Sequence, residues 1–286
     1  MTSAEESGGG FGSARASEID RLLTIAVVVL GLALCVPGLL SLSFLWESSQ
    51  FYGHAYAIPV MAAYLAYANL GSLRLASSDL RPPLSGPLVV FGAASIQVLA
   101  LMGEIGFAVG LGIPLMLGSI AYAIGGRPLL APMRLPLIFL ALMVPPPRFL
   151  TYQILFRLKL LVTDVAVEIL QAMGAPVAAE GNQILIPDQT LFVADACSGL
   201  TSIVTLLPLA CIVAYFLSHG VWRRALVIAS VIPLTFAANV FRVIVTVRMV
   251  STHGIEFAQG MLHETFGLAT YVIGTLAVIG VARITR

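Results

Sequence analysis

Charged side chains are scarce: Asp, Glu, Lys and Arg supply 10% of the 286 residues, against roughly 25% in an ordinary soluble domain. A chain so poor in charge cannot solvate a large globular surface, so no sizeable soluble domain can be carved from it. The net charge of +1 at pH 7 leaves no basic stripe for a nucleic-acid backbone, which excludes that class of partner. Cysteine is scarce as well. Cys35, Cys197 and Cys211 show neither metal-ligand spacing nor a paired disulfide framework, so no metal or other cofactor is expected. What is abundant is hydrocarbon. With 59% hydrophobic residues and a mean hydropathy of +0.98, the chain reads as a polytopic membrane protein.

Residues 1–17, rich in Gly, Ser, Ala and Glu, cannot bury enough apolar surface to order themselves and are expected to form a disordered cytoplasmic tail. Residues 18–286 then make a single transmembrane domain. The acidic residues of the tail, and a following apolar run long enough to span, exclude a cleavable signal. Spans are expected at about 22–45, 54–72, 87–103, 107–124, 135–144, 197–217, 225–247 and 264–282. The fifth is short because Pro145-Pro146-Pro147 halts it. Loops carrying Arg74 with Arg81, and Arg127 with Arg134, return the chain to the inside. Residues 150–173 place Arg157, Lys159, Asp164 and Glu168 among Leu, Ile and Val, a pattern that suits a helix lying in the outer interface. Residues 174–196 alternate and turn like a small extended hairpin, with acids and no bases. The expected fold class is therefore an all-α polytopic membrane protein of about eight transmembrane helices, with a short extended outer loop and an interfacial amphipathic helix.

Under this topology Arg15, Arg21, Arg74, Arg81, Arg127, Arg134, Arg223, Arg224, Arg283 and Arg286 lie inside, against Arg148, Arg157, Lys159, Arg242 and Arg248 outside. Ten bases against five put both termini in the cytoplasm. The same topology gathers Cys197, Arg242 and His263, from different spans, at the outer leaflet. Cys197 stands where a polar segment turns into a long apolar run, and the amide dipoles of a first helical turn favour a thiolate there. An arbitrary membrane cysteine is more often a packing residue, and Cys35 and Cys211, inside apolar runs, are read so. Arg242 in hydrocarbon would cost at least a few kcal/mol unless it faced protein or water. Cys197, Thr201 and Thr205 share one helical face; so do Thr235, Asn239, Arg242 and Thr246, and so do His263, Gly267 and Tyr271. Taken singly, Asn, Thr and Gly commonly do no more than glue helices. His54, at the mouth of the second span, is either an interfacial residue or part of a site.

At these residues the sequence resembles the exosortase/archaeosortase family of membrane transpeptidases. The family's Ala-Cys-Ser-Gly motif stands here as Ala196-Cys197-Ser198-Gly199, its Asn-x-x-Arg motif as Asn239-Val240-Phe241-Arg242-Val243, and its C-terminal His motif as His263-Glu264-Thr265-Phe266-Gly267. The likeness continues through Pro145-Pro146-Pro147, Glu180-Gly181-Asn182 and Trp222-Arg223-Arg224, and covers most of the chain from about residue 50. Departures are Gly53-His54-Ala55 in place of the family's Ser-His-Gly, and Thr201 where a long polar side chain is often found.

The resemblance implies a cysteine endopeptidase and transpeptidase of the bacterial cytoplasmic membrane that recognises C-terminal sorting signals of the PEP-CTERM kind. It would cut them on the outer side, with the signal helices of exported proteins and membrane lipid as partners. Cys197 would attack the scissile carbonyl to give a thioester. His263 would protonate the leaving amine, and Arg242 would hold the oxyanion or thiolate. Ser198, Gly199, Thr201, Asn239, Glu264, Gly267 and His54 would support them, Glu264 by orienting His263 or as a solvated carboxylate. Two other readings stand beside this one. An intramembrane cysteine hydrolase with water as acceptor shares the first half of the reaction. A non-enzymatic small transporter or lipid-binding protein would use Arg242 and the polar stripes to hold a solute or headgroup, and is disfavoured by the lack of an internal repeat.

Overall fold

The computed structural model describes residues 9–49, 51–69, 71, 82–187, 189–193, 199–254 and 261–285, with side chains from residue 22 in the first of these ranges and from residue 267 in the last. The described chain is mostly helical and divides into two units, residues 1–48 with 55–145 and residues 49–54 with 146–286.

The first unit holds α1 (Gly9–Glu47), α2 (Ala57–Ala68), α3 (Gly86–Met102) and α4 (Gly106–Ala141). Helix α1 begins inside the stretch that composition assigns to a disordered tail. Small residues let these helices approach closely. A side chain at Gly31 would meet Met116 and Ile120, and one at Gly38 would meet Val109 and Ile113, so α1 runs antiparallel to the first half of α4. Gly86 against Ala123 and Gln97 against Gly112 make α3 antiparallel to the same half. At Gly126 the backbone takes φ 65° and ψ −154°, which a side chain would resist, and the helix doubles back. Gly118 then faces Leu130 and Leu137, and Gly110 faces Val144. The reversal falls where a loop through Arg127 and Arg134 was expected, but the break is a glycine hinge and both arginines are helical. Pro128 fits just past the hinge because the first-turn N–H groups of a helix need no intrahelical partner. Trp46 Nε1 donates to the Met143 carbonyl at 2.8 Å, satisfying one acceptor at the end of the returning arm.

Gln97 of this unit is fully inaccessible, and its Nε2 donates to the Leu34 carbonyl at 3.4 Å. Its amide oxygen presses on Gly112, where no side chain fits.

Besides residues 49–54, the second unit holds, after the proline run, α5 (Arg148–Ala172). Gly174 at φ 78° closes α5 in a Schellman motif, Ala175 N donating to the Leu170 carbonyl and Gly174 N to that of Gln171, both at 2.9 Å. An antiparallel sheet follows, β1 (Ala178–Glu180), β2 (Gln183–Ile186) and β3 (Gln189–Phe192), in the order β1-β2-β3. The expected hairpin is therefore β1-β2 with a further strand. Its turn, Gly181-Asn182, has a positive φ at Gly181 alone, the pattern of a type II′ turn. Helices α6 (Leu200–Leu217), α7 (Val221–His253) and α8 (Met261–Ile284) complete the unit.

One core of the second unit is a ladder of small apolar side chains. Val240, Val243, Val247 and Val250, at helical spacing on α7, pack with Val162, Ala166, Val167 and Leu170 of α5 and with Ile184 and Ile186 of β2. A second core joins Leu206, Ala210, Val213 and Ala214 of α6 to Val227 and Val231 of α7 and to Val278 and Ala282 of α8. Helix α7 thus carries two neighbouring packing surfaces, and the stripe between them is the one that bears polar residues.

By length and composition, five of the described helices can cross a membrane: Leu22–Glu47, Gly106–Ala141, Leu200–Leu217, Val221–His253 and Gly267–Ile284; Gly86–Met102 is a shorter apolar helix. A polytopic all-α membrane protein follows. Helix α5, with Arg157 and Glu168 exposed, is not among these spans.

The Gln97–Gly112 contact yields a test of packing in the first unit. Gly112→Ala should lower the yield and melting temperature of detergent-solubilised protein, because the new methyl meets a buried amide held by α1 and α4. Gln97→Ala on that background should recover much of the loss, as coupled neighbours do, whereas additive defects would show that the contact does not limit packing.

Candidate functional site

Three polar side chains of α7 point into the second unit at helical spacing: Thr235 is 1% exposed, Asn239 1% and Arg242 7%. Threonines at such depth satisfy themselves on their own helix. Thr235 Oγ1 donates to the Val231 carbonyl at 2.7 Å and Thr246 Oγ1 to the Arg242 carbonyl at 2.9 Å. Asn239 behaves similarly, with Nδ2 donating to the Thr235 carbonyl at 2.7 Å. The stripe Thr235, Asn239, Arg242 and Thr246 that spacing predicts is thus on one inward face.

Glycines of the two neighbouring helices meet this stripe. Gly199 adopts φ 84° and ψ −10° and caps α6, so the helix starts at Leu200. A Cβ at Gly199 would lie 2.9 Å from Asn239 Nδ2, which brings the entrance of α6 directly against the asparagine. On α8, a Cβ at Gly267 would lie 3.6 Å from Arg242 Nη2 and 3.8 Å from Nη1 and Cζ, so the flat guanidinium lies over a glycine. Any side chain at Gly199, or one larger than alanine at Gly267, would push the neighbouring helix away from the polar stripe.

Several expected site residues fall outside this description. Cys197 and Ser198 immediately precede Gly199 and lie outside the described residues. His263 and Glu264 are in the first turn of α8, where the backbone is helical and the side chains are not described. Because α6 begins at Leu200, the expected face of Cys197, Thr201 and Thr205 reduces within the helix to Thr201 and Thr205, linked by Thr205 Oγ1 donating to the Thr201 carbonyl at 2.9 Å. His54 sits in a 3-10 turn, Gly53–Tyr56, its ring stacked on Tyr52 with centroids 5.8 Å apart. No described contact joins His54 to Asn239 or Arg242. A separate cavity of about 500 Å³, lined by Pro176, Ile186, Gln189, Val247, Arg248 and Thr252 among others, contains none of the stripe residues. Among the described residues no three His, Cys, Asp or Glu side chains gather as a metal site requires.

The seat of Gly199 on Asn239 was not foreseen from the sequence. Its signal was faint, because glycine is only modestly enriched ahead of a helix, where Ser, Thr, Asn and Asp lead.

The two glycines differ in what they tolerate. Gly199→Ala places a side chain both in a left-handed backbone and within 2.9 Å of Asn239, so it should lower the melting temperature of the purified protein, at a cost of about 1–3 kcal/mol. Gly267→Ala meets ordinary van der Waals distances and should be nearly silent, while Gly267→Leu should not. Equal melting of the two alanine variants would contradict this geometry.

A family model described as transmembrane exosortase matches residues 46–280, more than half of the chain. No curated protein and no solved structure matches it.

Proposed function

The chain belongs to the transmembrane exosortase family, and from that membership we propose that it is a membrane-embedded cysteine endopeptidase and transpeptidase. It cleaves C-terminal sorting signals of exported proteins at the outer face of the cytoplasmic membrane, through a thioester on Cys197, and passes them to an acceptor. One observation carries the reading: Asn239 and Arg242, a helical turn apart on α7, lie against the glycines that close the motifs at 196–199 and 263–267. Gly199, on Asn239, is two residues from Cys197, and two residues reach at most about 7 Å. Gly267, on Arg242, is one turn along α8 from His263, about 6 Å of helix rise.

The chemistry follows from these neighbours. The Cys197 thiolate attacks the scissile carbonyl, and the oxygen takes the negative charge. Arg242, always charged and planar, donates to that oxygen in a site walled by apolar helices, where a fixed donor is worth more than in water. Collapse of the tetrahedral species expels the amine, which His263 protonates, leaving the thioester. His263 then deprotonates the incoming nucleophile, which attacks the thioester and frees the thiolate. The positive-inside count supports a site at the outer surface and cytoplasmic termini. The sorting-signal helix is the natural partner of a site reached from the bilayer, with membrane lipid around it.

Variants separate catalysis from charge burial. Cys197→Ala should abolish processing of a co-expressed sorting-signal substrate with expression unchanged, and Cys35→Ala and Cys211→Ala should be nearly silent. Arg242→Lys keeps the charge but not the fork, and should lose about 10²–10³ in processing rate, nearly as much as Arg242→Ala. Arg157→Lys, on exposed α5, is the control. Immunoblots of substrate with time decide the matter: near-normal processing by Arg242→Lys would remove the catalytic role from Arg242, and processing by Cys197→Ala would remove the thioester.

A further inference from the structure

The Asn239 side chain has one end used and one end open. Its Nδ2 is 2.7 Å from the Thr235 carbonyl, and a carbonyl can only accept, so the amide cannot be flipped without losing that bond. The other end, Oδ1, is therefore fixed in direction; it is buried and meets no donor among the described residues. Asn239 itself is 1% exposed. A buried acceptor without a donor costs about 1–3 kcal/mol, and an apolar residue of the same shape would avoid the cost. Asn239 also differs from the threonines of the stripe, whose hydroxyls are spent on their own backbone. Its neighbour on the next turn is Arg242, a donor with no acceptor function.

We propose that Asn239 Oδ1 accepts a hydrogen bond from the backbone N–H of the substrate residue whose carbonyl Cys197 attacks. This rests on the thioester reading and deepens it by naming how the substrate is held. In an extended chain the N–H and C=O of one residue point to the same side, as they do in the hydrogen-bonded pairs of an antiparallel ladder. One substrate residue can thus present its carbonyl oxygen to Arg242 and its N–H to Asn239. A donor and an acceptor one turn apart on α7 match the acceptor and donor of a single amino-acid residue. The pair fixes the attacked carbonyl at two points, which orients it toward the thiolate segment that begins beside Gly199. The specificity that follows is chemical: the attacked residue must carry an unsubstituted backbone amide, and a proline or N-methyl residue is refused there.

The test uses the purified full-length chain in lipid nanodiscs and a synthetic peptide bearing the cleavage segment of an exported protein that the enzyme processes, its cut mapped by mass spectrometry. In a matched peptide the N–H of the attacked residue is replaced by an ester oxygen, with the scissile amide left intact; further analogues carry the ester at each neighbouring position. Wild type should cleave the ester at the attacked residue about 10–100-fold more slowly in kcat/KM, with little effect of the ester elsewhere. Asn239→Leu should cleave amide and ester equally slowly, while Asn239→Asp, which keeps an acceptor, should retain the ester penalty. Indifference of wild type to the ester, or a full ester penalty in Asn239→Leu, overturns the proposal and leaves Oδ1 as an acceptor for the protein's own backbone. Should Asn239→Leu not fold, the positional ester scan on wild type decides alone. Turnover that survives Cys197→Ala would instead sink the thioester reading, so the two failures are distinguishable.

Discussion

A permanent cation inside a bundle of apolar helices is the constraint around which the second unit is arranged. Arg242 cannot shed its proton, and at 7% exposure it cannot reach bulk water, so protein groups must take over its solvation. Helix α7 meets this by dividing its surface. Val240, Val243, Val247 and Val250 pack against α5 and the sheet, and the adjoining stripe of Thr235, Asn239, Arg242 and Thr246 is held apart for polar contacts. The valine ladder fixes the rotation of α7, and that rotation aims the guanidinium at Gly267. Sequence pattern, packing and site therefore share one helix.

Glycine is how the neighbouring helices accept a polar stripe without a void. Gly199 and Gly267 let α6 and α8 come close to an amide and a guanidinium, so that the edges of the segments that carry Cys197 and His263 arrive at neighbouring residues of α7. The first unit uses a related device without chemistry attached. Gln97 is buried among α1, α3 and α4 and fits because Gly112 and Gly38 have no side chains to oppose it. The difference between the two is the fate of the amide's neighbours: around Gln97 they are apolar, and around Asn239 they include a cation beside the motifs that carry a thiol and an imidazole.

Much of this was legible in the sequence. Hydropathy alone calls for a polytopic helical chain, and the spacing of Thr235, Asn239 and Arg242 identifies their common face, which the structure buries as one. Family membership was likewise readable from short motifs. The errors have local causes. Prolines and arginines at 127–136 look like a loop, yet a single positive-φ glycine is enough to reverse the chain, and proline just past it costs no hydrogen bond. Helix α6 starts at Leu200 because Gly199 is left-handed, a backbone fact that periodicity cannot carry.

The central claim is that Cys197 carries the substrate covalently. It is tested most directly by quenching the full-length enzyme with acid during turnover of a sorting-signal peptide, digesting it, and weighing the peptide that contains Cys197. The account predicts a mass increase equal to the acyl portion of the substrate, removed by neutral hydroxylamine. Turnover with no adduct on Cys197, or an adduct that hydroxylamine does not release, would contradict it.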